Sequence, residues 1–286
     1  MHSDTDLHTH STASDGQLAP AELVALAASA GVQRLALTDH DTVAGLPEAQ
    51  AAADAHEMEL VPGVEISCQW LRQEIHVLGL WVDTDCEALG AALASQAARR
   101  MERAERIAHK LEKNRMPGAL EGACRIADGG SLTRPHFARW MVEAGHAADM
   151  PTAFRRWLSR GKPAAVGIQW PEMEDVIAWI RTAGGAPVLA HPLKYRLTAT
   201  KLRALLADFA EHGGQGMEVR SGYQVATDSV RHALARAEDY GLLASMGSDF
   251  HAPTRWQPCP GRLPTLPKGT QTVWDHLPPG GQFGAG

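Results

Sequence analysis

Histidines and carboxylates recur along the chain at spacings that could hold metal ions. His8 and His10 are separated by one residue, so an extended backbone would place both imidazoles on the same face. Two imidazoles on one face form half of a coordination shell for a transition metal. Such a pair alone is weak evidence, because histidines also occur as surface or satisfied core residues. Asp249 and His251 repeat the spacing, which strengthens the metal interpretation.

Other candidate ligands lie at or just beyond the predicted ends of short apolar strands. Strands are predicted at 34–38, 60–67, 74–82, 186–190, 216–219 and 242–247. The complete set of candidate metal ligands is His8, His10, Asp15, His40, Glu65, His76, His191, Asp249 and His251. The carboxyl ends of parallel barrel strands meet at one rim, where active sites assemble. We therefore expect these side chains to converge.

Predicted helices alternate with these strands and indicate the fold class. Helical spacing covers 20–30, 46–57, 172–183, 201–211 and 227–240, which predicts an α/β protein with a mostly parallel sheet, possibly closed into a barrel. A long helix at 87–113 is followed by a region without a strand candidate. We interpret 100–165 as a helical insertion and assign 1–99 and 166–286 to the barrel. The alternative is that the helices within 100–165 are simply long helices of the barrel itself. The Pro- and Gly-rich residues 278–286 are predicted to be a flexible tail.

Composition limits the classes of function. The chain has 286 residues, a net charge of −6 and 44% hydrophobic residues, which suits one large domain or a domain with an insertion. Mild acidity argues against a dedicated binder of long nucleic acid, but permits a small anionic substrate. The sequence predicts no membrane span and no signal peptide. Four cysteines without C-x-x-C spacing favour reduced thiols and a cytoplasmic location. Nothing in the sequence indicates an obligate protein partner.

The ligand set indicates several metal ions. Six imidazoles and three carboxylates are too many for one ion, so we predict two or three divalent ions. Nitrogen and oxygen ligands without a thiolate suit Mn²⁺, Fe or Zn. Divalent ions about 3.5–4 Å apart can generate hydroxide, hold a phosphate oxygen and stabilise a departing oxygen. The cluster therefore favours phosphoryl chemistry.

Seven short segments together resemble the PHP (polymerase and histidinol phosphatase) family. They are Asp6-Leu7-His8-Thr9-His10, Ser14-Asp15-Gly16, Thr38-Asp39-His40, Gly63-Val64-Glu65, His76, His191-Pro192 and Ser248-Asp249-Phe250-His251. The resemblance implies a distorted (β/α)7 TIM-like barrel with a cluster of up to three ions, for which we predict Mn²⁺, with Fe or Zn as the alternatives. It assigns one ion to His8, His10, Glu65 and Asp249, a second to Glu65, His76 and His191, and a third to Asp15, His40 and His251. By position, His191 and His251 are the candidates to serve the leaving oxygen, and with Asp249 they form the predicted catalytic set; Asp39 would orient a ligand.

Basic motifs in the insertion narrow the resemblance to one branch of the family. Residues 132–139 and 159–163 resemble members that act as 3′,5′-nucleotide bisphosphate phosphatases and as 5′-3′ exoribonucleases on short RNA. The predicted substrate-binding residues are Arg134, His136, Lys162 and Arg160, with weaker candidates at Arg139, Lys194 and Arg220. They could instead form a helix start and an exposed basic turn. Ala165 replaces an aromatic residue that is frequent in relatives, so stacking from that position is lost.

The resulting hypothesis is a metal-dependent phosphatase acting on nucleoside 3′,5′-bisphosphates, converting pAp to AMP and phosphate. One alternative is an exoribonuclease that uses the same site on short 5′-phosphorylated oligonucleotides. A second alternative is a histidinol-phosphate phosphatase, which the basic insertion disfavours. A third, from a different class, is a non-catalytic metal-binding scaffold, which the complete ligand set disfavours.

Overall fold

Seven strands form a nearly closed barrel. The structure is a computed structural model that describes residues 2–195, 197–222, 227–253 and 259–277, apart from the side chains of residues 227 and 228. The strands are β1 (Thr5–Asp6), β2 (Arg34–Leu37), β3 (Glu59–Trp70), β4 (Gln73–Leu80), β5 (Ala186–Leu189), β6 (Gly216–Ser221) and β7 (Leu243–Gly247), which pair in chain order. The Leu7 amide donates to the Met246 carbonyl at 3.1 Å, so the chain just after β1 meets β7. The predicted α/β barrel is therefore confirmed.

Ten α-helices of the described residues surround and extend this barrel. They are α1 (Pro20–Ser29), α2 (Leu46–Ala55), α3 (Glu87–Lys113), α4 (Ala119–Ala127), α5 (Arg134–Glu143), α6 (Met150–Ala153), α7 (Met173–Thr182), α8 (Ala199–Glu211), α9 (Thr227–Asp239) and α10 (Val273–His276). A π-helical turn follows α6 at Phe154–Leu158, and a 3-10 turn follows β5 at Pro192–Lys194. Within the described ranges, each helix is too short or too polar to cross a membrane.

The sheet is less parallel than the sequence predicts. Strand β4 runs antiparallel to both β3 and β5, because a tight hairpin at Leu71 and Arg72 reverses the chain. This hairpin also extends β3 to Trp70, so Glu65 lies inside a strand and not at its end. His76 lies in the first half of β4, and the expectation that it follows a strand end was wrong. Reversal of β4 nevertheless brings its first half to the rim where the parallel strands end.

Helix α3 belongs to two hydrophobic cores. Leu89 and Leu93, in its first half, pack in the core between the barrel and its helices. Ile107 and Leu111, in its second half, pack in a separate core that α4 and α5 complete. The predicted boundary at residue 100 falls between these pairs, inside one continuous helix. The division into barrel and insertion stays a prediction, and the predicted tail at 278–286 lies outside the described residues.

Candidate metal centre

The segment after β1 delivers the first two candidate ligands side by side. Thr9 turns away from them, since its hydroxyl donates to the Ala36 carbonyl at 2.7 Å. The Nε2 atoms of His8 and His10 consequently lie 3.0 Å apart, as the spacing predicts. The close approach of β7 to this segment requires glycine at 247, because a Cβ atom there would lie 2.2 Å from Cβ of His8.

A serine-rich loop brings Asp15 to the same place. Asp39, at the end of β2, accepts hydrogen bonds from the Ser11 amide at 2.8 Å and from the Ser14 hydroxyl at 2.6 Å. These bonds fix the turn that carries Asp15, which agrees with the predicted orienting role of Asp39. The Asp15 Oδ1 atom then lies 3.2 Å from Nε2 of His251.

Glu65 is the central carboxylate of the cluster. Its Oε1 atom lies 2.8 Å from Nδ1 of His76 and 2.9 Å from Nε2 of His191. Its Oε2 atom lies 3.0, 3.3 and 3.4 Å from ring nitrogens of three further imidazoles, those of His40, His10 and His8. Each oxygen thus faces a different group of histidines, so this one carboxylate could contact two ions.

All nine predicted metal ligands come together at this rim. Their ligand atoms form four overlapping groups within 4.8 Å of one another: His10, Asp15, His40 and His251; His8, Glu65 and His191; His8, His10 and Asp249; and His40, Glu65 and His76. The groups share residues in the way that a multinuclear site requires. Which residue binds which ion stays a prediction.

Two of the candidate ligands have a strained backbone. His191 follows β5 with φ of 33°, and Asp249 follows β7 with φ of 53°. Residues with a Cβ atom are uncommon in this left-handed region, and such strain concentrates at functional sites. Here it turns both side chains into the barrel mouth directly after their strands end.

Unsatisfied buried atoms indicate that the cluster fits metal ions. Three atoms of the predicted ligands that face the cluster are buried without a hydrogen bond of acceptable geometry: Asp15 Oδ1, His40 Nδ1 and Glu65 Oε2. Buried polar groups normally have partners, so such a concentration needs an explanation. Coordination of divalent cations would satisfy carboxylate oxygens and deprotonated imidazole nitrogens alike.

The carboxylates of the cluster are held in their charged form. Burial disfavours charge, but the imidazoles of His40 and His251 outweigh it and hold the pKa of Asp15 well below its usual range. The imidazoles around Glu65 do the same for its pKa. Lys194, whose ammonium contacts Asp249 Oδ2, and His8 together lower the pKa of Asp249. The three carboxylates are therefore charged, which is the form that binds a metal ion.

The imidazoles of the cluster divide into two classes by the direction of their pKa shifts. Burial lowers the pKa of His40 to about 4, so this ring is neutral near pH 7. Burial also opposes charge on His10 and His76, but the neighbouring carboxylates raise the pKa of each to about 9. Neighbouring carboxylates, Glu218 foremost, likewise overcome burial and raise the pKa of His8 well above its usual range, so without metal the protons on His8, His10 and His76 offset the carboxylate charges. Divalent ions would replace these protons, since only a deprotonated imidazole nitrogen binds a metal.

The sequence analysis missed one buried carboxylate, Glu218. Its Oε1 atom lies 3.1 Å from Nδ1 of His8, and its Oε2 atom accepts a hydrogen bond from the His191 amide at 2.6 Å. A carboxylate that contacts one nitrogen of a histidine fixes the tautomer that leaves the other nitrogen free for metal. The available signal was a carboxylate inside a short apolar strand, between Met217 and Val219.

The predicted catalytic residues are all members of the cluster. Nδ1 of His251 lies 2.9 Å from the Asp249 carbonyl, while its Nε2 faces Asp15. This pattern is typical of a metal-binding histidine, since a backbone acceptor fixes the tautomer. His191 presents Nε2 to Glu65 and leaves Nδ1 without a hydrogen bond. Catalytic roles for these residues and for Asp249 stay predictions.

A cleft of about 600 Å³ opens beside His76. Arg134 and Arg160, two predicted substrate-binding residues, line it together with Arg103. The Arg103 guanidinium lies 3.4 Å from Oε2 of Glu74, the carboxylate that also lies 3.8 Å from Arg134. Glu74 therefore holds two guanidinium groups at the cleft. Lys162 is exposed in the neighbouring loop, and its predicted role stays a prediction.

Two other basic-motif residues have structural contacts. His136 is buried, and its Nδ1 accepts a hydrogen bond from the Thr133 amide at 3.0 Å, which caps the start of α5. This placement favours a capping role over the predicted contact with substrate. Arg139 donates to the backbone carbonyls of Asp15 and Gly16, so it fixes the loop that carries Asp15.

A buried polar network supports the rim from α3. Arg100 forms an ion pair with Asp41 at 2.6 Å and donates to the Ser67 hydroxyl at 2.9 Å. Asp41 follows His40 with a positive φ of 52°, and Ser67 lies two residues beyond Glu65. The network therefore fixes the backbone on both sides of two candidate ligands.

The chain is similar to known proteins over nearly its whole length. The PHP domain model matches residues 6–120. The chain is 46% identical to the 5'-3' exoribonuclease Rnm of Escherichia coli (strain K12), over 94% of this chain and 92% of that protein. It is 42% identical to the 3',5'-nucleoside bisphosphate phosphatase of Chromobacterium violaceum, over 95% of each chain. A solved structure of an amidohydrolase from Chromobacterium violaceum, with bound SO4 and no metal, superposes with a TM-score of 0.89 and 41% identity, over 96% of this chain and 95% of that one.

Proposed function

Because the chain belongs to the PHP domain family, we propose that it is a metal-dependent phosphoesterase that hydrolyses the 3′-phosphate of nucleoside 3′,5′-bisphosphates. The products from pAp are AMP and inorganic phosphate. The observation that carries the proposal is the convergence of nine metal-binding side chains at one rim, directly beside a cleft lined with arginines. The rim suits the reacting phosphate, and the cleft suits the remainder of an anionic nucleotide.

The nine residues of the cluster would hold two or three divalent ions. We infer Mn²⁺ as the main ion, because imidazole and carboxylate ligands without a thiolate suit it, with Fe or Zn as the alternatives. When bound, such ions activate water and neutralise charge on the phosphoryl group. Glu65 bridges the histidines, and Asp39 and Glu218 orient the ligands. We also propose a cytoplasmic location, where the four free cysteines would stay reduced.

The guanidinium groups at the cleft would bind the phosphate that is not hydrolysed. Arg134 offers a planar fork that matches two phosphate oxygens, and Glu74 already holds it beside Arg103. Arg160 lines the same cleft from the loop after the π-helical turn. Lys194 lies at the edge of the metal cluster, where its ammonium could contact the reacting phosphate after release from Asp249.

A second candidate function is hydrolysis of short 5′-phosphorylated RNA from its 5′ end. It is supported by the 46% identity to an exoribonuclease over most of both chains. The same ions would act on a diester, and the same arginines would bind the terminal phosphate. Comparison of kcat/KM for pAp and for a 5′-phosphorylated trinucleotide, with Mn²⁺ present, separates the two activities.

Substitution of Arg134 by alanine tests the role of the cleft. We expect kcat/KM for pAp to fall roughly 10- to 150-fold, which corresponds to a charged hydrogen bond of about 1.5–3 kcal/mol. Hydrolysis of a simple aryl phosphate should change little, because that substrate lacks the second phosphate. Arg125→Ala is the control, since Arg125 is exposed and contacts Glu143 outside the cleft.

Equal losses on both substrates would remove Arg134 from substrate recognition. Activity on histidinol phosphate above that on pAp would favour the histidinol-phosphate phosphatase hypothesis. Bound metal without hydrolysis of any phosphate ester would instead support the scaffold hypothesis. Removal of the ions by a chelator should abolish phosphate release, and added Mn²⁺ should restore it.

A further inference from the structure

Tyr195 contacts the first half of β4, where His76 lies. It follows the 3-10 turn after β5, and its hydroxyl oxygen accepts a hydrogen bond from the His76 amide at 2.8 Å. Strand β5 pairs with β4 only as far as Leu189 and Val77, so the phenol supplies an acceptor that a longer strand would otherwise provide. The phenol ring also lies edge-on against His191, with ring centroids 5.4 Å apart. Tyr195 therefore contacts two candidate metal ligands.

The hydroxyl of Tyr195 has a proton that the fold does not use. A tyrosine hydroxyl can accept hydrogen bonds and can also donate one, and it stays protonated near pH 7. Its contact with the His76 amide uses the oxygen only as an acceptor. In the described part of the chain, no group accepts the remaining proton. Because Tyr195 lines the cleft beside the metal centre, this proton is available to a ligand that binds there.

The two proposed phosphate sites lie close together, and the sugar of a substrate must span the gap between them. Oε1 of Glu74 lies 4.0 Å from Nε2 of His76 and 3.8 Å from the Arg134 guanidinium. One carboxylate oxygen thus reaches from the edge of the metal centre to the arginine. A nucleoside bisphosphate with its 3′-phosphate at the metal centre and its 5′-phosphate at Arg134 places its ribose across this gap. The ribose consequently lies beside His76, the residue that Tyr195 contacts.

The 2′-hydroxyl is the sugar group that suits this donor. In a nucleoside 3′,5′-bisphosphate the 3′ and 5′ oxygens are esterified, so the 2′-hydroxyl is the only free hydroxyl of the sugar. It is bonded to the carbon next to the one that carries the reacting phosphate, which places it at the end of the cleft nearest the metal centre. Proteins distinguish ribonucleotides from deoxyribonucleotides through this hydroxyl. A site built to hydrogen-bond a substrate hydroxyl rejects the analogue that lacks it.

We propose that Tyr195 is a specificity-determining residue whose hydroxyl donates a hydrogen bond to the ribose 2′-hydroxyl, so that the enzyme favours ribonucleotides over 2′-deoxyribonucleotides. This inference rests on the proposed function, because the reacting phosphate must lie at the metal centre. The same contact serves short 5′-phosphorylated RNA, since the ribose of its first nucleotide joins the terminal phosphate at the arginines to the reacting phosphate at the metal centre.

The test is Tyr195→Phe, which removes the hydroxyl and keeps the ring. The Mn²⁺-loaded proteins are assayed on pAp and on 2′-deoxyadenosine 3′,5′-bisphosphate. We expect the ratio of kcat/KM for pAp to that for the deoxy substrate to fall roughly 2- to 12-fold in the variant, the range for one hydrogen bond between neutral groups. The lost acceptor of the His76 amide affects both substrates alike, so it cancels in the ratio. Tyr240→Phe removes a hydroxyl outside the cleft and should keep the wild-type ratio.

A measurement on the wild type alone does not depend on the variant. The 2′-fluoro analogue of pAp keeps an electronegative group on the sugar but is a poor hydrogen-bond acceptor. Its kcat/KM should be roughly 2- to 12-fold below that of pAp, and this result decides if Tyr195→Phe is inactive on both substrates. An unchanged ratio in an active variant would limit Tyr195 to positioning His76 and would overturn the specificity role, as would equal kcat/KM for pAp and its fluoro analogue. Absence of metal-dependent hydrolysis of pAp by the wild type would instead contradict the proposed function.

Discussion

Glutamine at position 218 should reverse the tautomer of His8. Glu218 accepts at both oxygens, from Nδ1–H of His8 at 3.1 Å and from the His191 amide at 2.6 Å. Glutamine has only one acceptor oxygen, and the His191 amide can only donate, so the oxygen must serve that amide. The glutamine NH₂ group then faces Nδ1 of His8, which must become an acceptor.

The displaced proton moves to the nitrogen that the metal needs. Nε2 of His8 lies 3.4 Å from Oε2 of Glu65 and 3.5 Å from Oδ1 of Asp249, and protonation removes its lone pair from this group. Substitution of such an orienting carboxylate typically weakens metal affinity by about 10- to 100-fold. Because glutamine is nearly the same size as glutamate, packing in the barrel changes little.

Calorimetric titration of Mn²⁺ into metal-stripped protein measures the effect. Glu218→Gln should lower the affinity of at least one ion by roughly 10- to 100-fold. Nitrogen NMR of the metal-stripped variant, at a pH where the His8 ring is neutral, should show its one proton on Nε2. Glu238→Gln is the matched control, because it removes the same charge from an exposed position on α9. Unchanged affinity together with a proton on Nδ1 would refute the reasoning.

Two further predictions concern stability. Gly247→Ala should lower Tm by roughly 4–10 °C, since the new methyl group clashes with His8, whereas Gly90→Ala on α3 meets no atom within 4 Å and should not lower Tm. Equal melting temperatures for the two variants would contradict this. In metal-stripped protein, His10 and His76 have pKa values of about 9, raised from 6.5. Their protonation therefore stabilises the folded state fully below pH 6.5, and this contribution to the free energy of unfolding is lost as pH rises through 9. Calorimetry should show Tm falling over that range, and a rise would be inconsistent with these shifts.

Periodicity predicted the helices well because each buries one apolar face. The predicted helix at 87–113 coincides with α3, and that at 20–30 differs from α1 by one residue. Strand direction was harder, because Leu71 and Arg72 are unusual residues for a hairpin turn. The turn therefore went unrecognised, and His76 was assigned to the wrong end of its strand.

The convergence of the nine candidate ligands was predictable because their residue types and motif spacings are distinctive. Glu218 was not, since one carboxylate in an apolar strand has no spacing partner, and its contacts to His8 and His191 arise only when the barrel closes. Arg139 shows the converse problem. Its basic motif suggested contact with substrate, but folding directs its guanidinium group to the carbonyls of Asp15 and Gly16.

Helix α5 connects the arginine-lined cleft to the loop that carries Asp15. It begins at Arg134 in the cleft, and about 7.5 Å further along its axis Arg139 grips the backbone of the Asp15 loop. A ligand that shifts helix α5 therefore also moves the loop that carries Asp15. Binding linkage is reciprocal. If a bound nucleotide changes the affinity for cations by some factor, bound cations change the affinity for the nucleotide by the same factor.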